Sequence, residues 1–180
     1  MTLHRIRKGL DLPLSGAPAQ AVEPATAVRR VALLGADAPG LKPSFLVRPG
    51  DAVRTGQPVY EDRRLPGVRY TAPATGTVEA VHRGARRAFV SLVIAVARDA
   101  GDDAVPLASF AGRPVATLGA DDVRALLLES GLWTALRTRP FGRVANPAAT
   151  PRSIFVTATD THPHAPDLGI ALAGREQAFA

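Results

Sequence analysis

Asp160, His162, His164 and Asp167 place carboxylate and imidazole groups within one short stretch, and His162-Pro163-His164 has a spacing that could present two metal ligands. A structural or catalytic zinc site needs three or four such ligands held together, usually including thiolates or a third fixed imidazole. The sequence has no cysteine, and its other histidines, His4 and His82, lie far away in strand-like surroundings. The stretch therefore reads as a polar loop after a strand end, with no metal assigned. The lack of cysteine also excludes disulfides, a cysteine nucleophile and any iron–sulfur cluster ligated by this chain's own thiolates. There is no Gly-x-Ser-x-Gly elbow and no Walker glycine loop, so neither serine-hydrolase nor nucleotidase chemistry is indicated. No catalytic and no cofactor-binding residue is assigned.

Arginine supplies the other chemically marked feature. The 22 Lys and Arg outweigh 16 Asp and Glu, giving a net charge of +6, and only Lys8 and Lys42 of these cations are lysines. The arginines are scattered, with pairs at Arg29-Arg30, Arg63-Arg64 and Arg86-Arg87 and no longer run. A nucleic-acid binder would cluster its charge and interleave aromatics, whereas aromatics make up 5% of this chain, so no nucleic-acid partner is expected. A basic face suits a protein partner or anionic lipid head groups equally well. Apolar stretches such as Val93 to Ala97 are far shorter than the roughly 20 residues of a membrane span. After Arg5, Arg7 and Lys8, the run Gly9-Leu10-Asp11-Leu12-Pro13 is broken by a charge and a proline, unlike a secretory signal. A cytoplasmic location is expected.

The elements that must position these residues fall into two kinds. The 180 residues are 46% apolar, enough to bury a core, and the 16 Gly and 16 Pro are concentrated before about Gly84. Between them, Arg30 to Leu34, Val47 to Val53, Val59 to Glu61, Tyr70 to Thr71, Gly76 to His82 and Phe89 to Ala97 read as short strands. Turns are expected at Arg48-Pro49-Gly50-Asp51 and Leu65-Pro66-Gly67. The pattern changes after Asp99, where Ala100-Gly101-Asp102-Asp103 resembles a linker. This gives a β domain over 1–100 and an α/β domain over 101–180. Asp121 or Asp122 can cap a helix through Val123, Leu126, Leu127 and Ser130, ended by Gly131. Ile154-Phe155-Val156, within Ser153 to Thr157, predicts a buried parallel strand. A helical pattern begins at Gly174 and stops at Ala180, so the α/β domain is expected to be incomplete at its C-terminus. Val31 to Gly40 superficially suggests a dinucleotide-binding strand and glycine turn, but Pro39 and Pro43 forbid the helix that must follow. Trp133, beside a helix end, is expected in the core rather than stacked on a quinone.

Two segments share a motif logic: Val47 to Val59, with its Gly50-Asp51 and Gly56-Gln57 turns, and Ala72-Pro73-Ala74-Thr75-Gly76-Thr77-Val78. Together they resemble a barrel-sandwich hybrid of the biotinyl/lipoyl type, which implies two small sheets in a flattened barrel. A carrier of that family needs a lysine on the hairpin between them. Here the hairpin reads Glu61-Asp62-Arg63-Arg64-Leu65-Pro66-Gly67-Val68, and a permanently protonated guanidinium is not acylated. The resemblance thus implies scaffold without swinging arm.

Leu127-Leu128-Glu129-Ser130-Gly131-Leu132-Trp133-Thr134-Ala135-Leu136-Arg137-Thr138-Arg139-Pro140-Phe141, followed by Ser153 to Thr161, completes a broader likeness. With Lys8 to Pro13 and the barrel motif, it resembles the NqrA family of the sodium-translocating NADH:quinone oxidoreductase (the Nqr complex), in order and over essentially the whole chain. That family is in turn similar to the RnfC protein of the Rnf electron-transport complex and to the flavin- and NADH-binding subunit of complex I. In the complex I relative, a glycine-rich loop after Ser-Gly-Leu cradles the flavin phosphate with backbone amides. Here that place holds Trp133, Thr134, Leu136, Arg137 and Arg139, with no glycine between Gly131 and Gly142. The relative's Asp-Glu-x-Glu-Pro loop becomes Thr159-Asp160-Thr161-His162-Pro163. The resemblance therefore implies that FMN and NADH binding has been lost. A phosphate clamp made by Arg137, Arg139 and Arg143 is the less favoured alternative, because it leaves no room for the phosphate.

The family implies a mixed α+β fold and a peripheral, non-catalytic scaffold on the cytoplasmic side of the inner membrane. Its partners would be other members of the Nqr complex, chiefly the membrane subunits, with ubiquinone met through the full-length protein. NADH, flavins, an iron–sulfur cluster, ubiquinone and Na+ would serve the whole complex, and none would be bound by this fragment. Arg137, Arg139 and Arg143 are the candidate contacts with a partner subunit, since three guanidinium groups in one loop must be solvated or paired. The competing functions are a biotinyl/lipoyl-type carrier and a stand-alone flavin-binding module.

Overall fold

The computed structural model describes residues 14–179 apart from 99, 100, 102, 111, 158, 159 and 161, and leaves the side chains of 178 and 179 undescribed. The Lys8 to Pro13 motif, His4, Thr159 and Thr161 thus lie outside the described residues. The chain divides into two compact units, one of residues 27–150 and one drawn from 1–26 with 151–180.

In the first unit, seven strands form two antiparallel sheets. Strands β1 (Arg30–Leu34), β7 (Phe89–Val96), β6 (Gly76–Arg83) and β3 (Ala52–Val53) lie side by side in that order, and β2 (Pro43–Phe45), β4 (Pro58–Asp62) and β5 (Arg69–Thr71) make the other sheet. Register follows the inward-facing apolar residues: Leu33 opposes Leu92, and Val31 and Val78 flank Ile94 from either side. Val53, Val59, Tyr60, Val68, Val78, Leu92 and Ile94 are almost wholly buried. Each such side chain contributes about 1.5–3 kcal/mol by leaving water. Phe45, Tyr60 and Phe89 meet edge to face at 5.3–5.6 Å between centroids, joining the two sheets.

The expected strand Val47 to Val53 survives only as Ala52–Val53. The turn chemistry inside it prevails, because Asp51 Oδ2 accepts the Arg48 N–H at 2.7 Å and the Asp51 N–H bonds back to Arg48 O at 3.1 Å. The paired strand β2 was not expected. The barrel glycines differ in what they require. Gly50 has φ +97° and open space around it, whereas a Cβ on Gly76 would lie 2.0 Å from Ala95 O across the β6–β7 ladder.

Helix α1 (Ala120–Glu129) carries Leu127 and Leu128 against the core. Its N-cap is Gly119 rather than Asp121 or Asp122; Asp122 sits in the first turn, and its Oδ2 accepts the Gly119 N–H at 3.1 Å. Gly131, at φ +80°, ends the helix as its sequence position suggests.

In the second unit, α2 (Leu168–Leu172) starts at Asp167, whose carboxylate accepts the Gly169 N–H at 2.8 Å, and α3 spans Glu176–Phe179. The strand expected at Ser153 to Thr157 is absent. Ile154, Phe155 and Val156 are 71%, 85% and 88% exposed, and no described residue pairs with them. Strand preference of β-branched and aromatic residues is realised by neighbours on the sheet, and no described strand lies beside these three.

Candidate functional site

The turn that ends α1 is closed by its own backbone. The N–H groups of Gly131, Thr134 and Leu136 bond to Leu128 O, Gly131 O and Trp133 O at 3.1–3.3 Å, and the Leu132 N–H bonds to Ser130 Oγ at 3.3 Å. Gly131 presses on strand β5: a Cβ there would stand 2.7 Å from Thr71 Oγ1 and 3.0 Å from Thr71 Cγ2, while Thr71 Oγ1 donates to Ser130 O at 3.2 Å. Trp133, in the short 3-10 helix Leu132–Ala135, is buried, as expected for core filling. Its Nε1 donates to Ala145 O at 2.8 Å, and the Arg124 guanidinium lies 5.9 Å from its ring centroid.

Beyond this turn the chain makes a hairpin. Arg137 bridges Val144, the Thr138 N–H bonds to Arg143 O at 2.8 Å, and the Ala145 N–H bonds to Leu136 O at 3.0 Å. This pairing places Arg137 and Arg143 on the two arms of the hairpin, with Arg139 at the bend between them. All three are exposed, and none joins an ion pair among the described residues. Phe141 at the tip is 74% exposed, with the Arg143 guanidinium 5.9 Å from its centroid.

The hairpin that would carry a carrier lysine is a turn from Asp62 to Val68, closed by Leu65 N–H to Asp62 O and Val68 N–H to Leu65 O, both 3.0 Å. Asp62 is buried, and its Oδ1 accepts the Lys42 N–H at 3.2 Å and the Arg64 N–H at 3.0 Å. The Arg64 guanidinium reaches Gly40 O at 3.0 Å. Beside these groups a cavity of about 220 Å³ opens, lined also by Leu41, Leu65, Tyr70 and Arg143. The Tyr70 ring stacks on Tyr60 at 4.7 Å, and its buried hydroxyl has no hydrogen-bond partner. Burial raises the Tyr70 pKa above its ordinary value, nearby Asp62 raises it further and Arg137 opposes the shift, so the phenol stays protonated. The sequence reasoning missed this group. A tyrosine beside a turn carries no motif, and only the fold brings Asp62, Arg64 and Arg143 to one opening.

The Asp160 to Asp167 stretch does not assemble as a ligand set. Asp160 Oδ1 accepts the His162 N–H at 2.9 Å and contacts His162 Nδ1, while Asp167 is spent as the cap of α2. The Asp160 pKa is lowered by that backbone N–H first and by the imidazole second. Among the described residues no three His, Asp or Glu side chains come within reach of one metal ion. No helix among them is long and apolar enough to cross a membrane.

Comparison with known proteins agrees with this architecture. The NqrA N-terminal barrel-sandwich hybrid domain matches residues 4–97, and the NqrA second alpha/beta domain matches residues 118–180. The NqrA protein of the Na(+)-translocating NADH-quinone reductase of Pseudomonas aeruginosa (strain UCBPP-PA14) is 49% identical over 175 residues, which is 97% of this chain and 39% of that protein. Its counterpart in Serratia proteamaculans (strain 568) is 48% identical over the same shares, and that in Cellvibrio japonicus (strain Ueda107) is 47% identical over 98% of this chain and 39% of its own length. The chain thus spans about 39% of the length of these curated relatives. With a barrel-sandwich hybrid domain followed by an α/β domain, each matched in order, the chain belongs to the NqrA family.

Proposed function

We propose that this chain acts as a peripheral scaffold within a Na+-translocating NADH-quinone reductase, on the cytoplasmic side of the inner membrane, where it docks onto the membrane subunits. The observation that carries this reading is the ordered match of both NqrA domains. Electron transfer from NADH to ubiquinone, coupled to Na+ export, belongs to the assembled complex. Ubiquinone is met by the full-length protein, and the flavins and the iron–sulfur cluster reside on other subunits. Arg137, Arg139 and Arg143, side by side on one exposed hairpin, serve as the contact with a partner subunit.

We infer further that the fold is related to the RnfC protein of the Rnf complex and to the flavin-binding subunit of complex I, and that this branch has given up the flavin. The residues do not fit an FMN phosphate: the amide donors after α1 are bonded inside their own turn, and Trp133 and Thr71 fill the space beside them. The test is affinity capture of the full-length parent chain from solubilised membranes. Flavin-bearing partners and sodium-stimulated NADH:ubiquinone reduction are the expected result. Recovery of a lone soluble protein, or of one carrying FMN of its own, overturns the proposal.

A further inference from the structure

We propose that the turn joining β6 to β7 is a second docking point, where Arg83, Arg86 and Arg87 meet a carboxylate-bearing face of a partner subunit; this rests on the scaffold reading of the chain. The turn is closed by its backbone. The Gly84 N–H bonds to Ala88 O at 2.8 Å, and the Arg87 and Ala88 N–H groups bond to Gly84 O and Ala85 O, both at 3.1 Å. Within it Arg86, at φ +54°, and Arg87, at φ +61°, stand in succession in the left-handed region. Positive φ at both centre positions of a hairpin turn is what Asn-Gly adopts most readily. A long side chain with a Cβ is disfavoured there and has no short polar group to compensate locally. Strain kept at two adjacent positions of an exposed turn points to a task for the side chains other than folding.

The charges around the turn say what that task is. Arg83, Arg86 and Arg87 are exposed, and none joins an ion pair among the described residues. No acidic residue stands between Glu79 and Asp99 in the sequence, and Glu79 is engaged by Arg30 at 2.6 Å. Arg83 is already placed: its guanidinium lies 5.2 Å from the Phe45 ring centroid and donates to Arg87 O at 3.4 Å. Such an array complements carboxylates, which guanidinium groups bind bidentately. A lipid surface fits less well, because segments held on anionic lipid carry about four to eight cations, more than this turn presents. At a protein interface a few well-placed arginines can dominate the binding.

The test combines Arg86→Asn with Arg87→Gly in the full-length parent chain and reads two quantities with opposite expected signs. Tm of the purified chain should rise by about 2–4 °C, because the turn now holds the residues its backbone favours. Co-purification with the complex from solubilised membranes should fall about tenfold, because two guanidinium groups are gone. Arg86→Lys with Arg87→Lys keeps charge and strain alike, so it should leave Tm unchanged and restore most of the co-purification. If the unsubstituted chain is itself recovered alone, the scaffold reading fails and takes this inference with it. If the unsubstituted chain is retained and the Asn-Gly variant is retained equally, the inference alone is overturned. A fall in Tm that accompanies lost co-purification overturns it too, since the arginines would then support the fold. So does binding of the purified chain to phosphatidylglycerol vesicles that the Asn-Gly variant loses, which would assign the turn to lipid.

Discussion

Gly131→Ala isolates the contact that fixes α1 and its closed turn to the β-barrel. Two costs arise from the geometry. An alanine at φ +80° sits in the left-handed region, which costs about 1–2 kcal/mol. Its methyl would also stand 2.7 Å from Thr71 Oγ1 and 3.0 Å from Thr71 Cγ2. Because Thr71 is β-branched, turning χ1 exchanges one offending atom for another, so the side chain must move bodily and give up its bond to Ser130 O. Losing that bond adds about 0.5–1.5 kcal/mol. Together the loss is about 1.5–3.5 kcal/mol, which for a chain of this size lowers Tm by roughly 3–14 °C. Trp133 is the sole tryptophan and lies two residues from the substitution, so denaturant unfolding followed by its fluorescence reads this unit specifically. In a Thr71→Ala background the clash and the bond to Ser130 O are already gone, so adding Gly131→Ala should cost only the backbone strain, about 1–2 kcal/mol. A loss below about 0.5 kcal/mol in the natural background, or an equal loss in the Thr71→Ala background, would refute the claim that the turn is pressed onto β5.

Three further outcomes are expected. Trp133→Phe keeps the aromatic bulk but strands Ala145 O, so stability should fall by about 1–2 kcal/mol in denaturant titration, whereas Trp133→Ala should lose about 3–5 kcal/mol; equal losses would mean that the indole N–H contributes nothing. Changing Arg137, Arg139 and Arg143 together to Gln should weaken co-purification of the full-length chain with its complex while leaving Tm within about 2 °C, because these exposed groups have no carboxylate partner among the described residues to lose; parallel loss of both would assign them a structural role. The Glu129 carboxyl is held below its usual pKa, first by the Ser109 hydroxyl and then by the amides of Ser109 and Ala108. Its folded pKa is therefore lower than its unfolded one. The stability it contributes is present above the ordinary glutamate range of about 4.3 and lost as pH falls through the depressed value, and Glu129→Gln should flatten that part of the pH–stability curve.

The strands were legible where pattern and environment agree. Arg30 to Leu34 alternates between outward and half-buried positions in an antiparallel sheet, and its observed bounds coincide with those read from the sequence. The same reasoning failed at Ile154-Phe155-Val156, because an apolar run reports what a strand would bury, not whether a neighbouring strand exists to bury it. Turn chemistry located Gly131 correctly as the end of α1, while the helix start shifted to Gly119 because Asp122 satisfies its orphan amide from the first turn rather than from the cap position. The grouping of Tyr70, Asp62, Arg64 and Arg143 was illegible. Arg143 comes from a hairpin far along the chain from Tyr70, and nothing local marks that meeting.

The physical case for a scaffold rests on where the hydrogen-bonding groups are spent. A phosphate cradle needs backbone N–H groups left without an internal acceptor and a floor free of side chains. At the end of α1 the amides of Gly131, Leu132, Thr134 and Leu136 are all directed to acceptors within the turn itself, and Thr71 approaches so closely that even a methyl group is excluded. Opening this turn would break several bonds at once and uncover Trp133. The glycine that could serve a flexible phosphate loop serves close packing instead: strand β5 lies against Gly131, and a Cβ there would meet Thr71. That the same residue type answers to packing here explains why a glycine after a helix cannot by itself identify a nucleotide site. The contacts around it decide the matter, and replacing Thr71 by Ala relieves those contacts without turning a single amide outward.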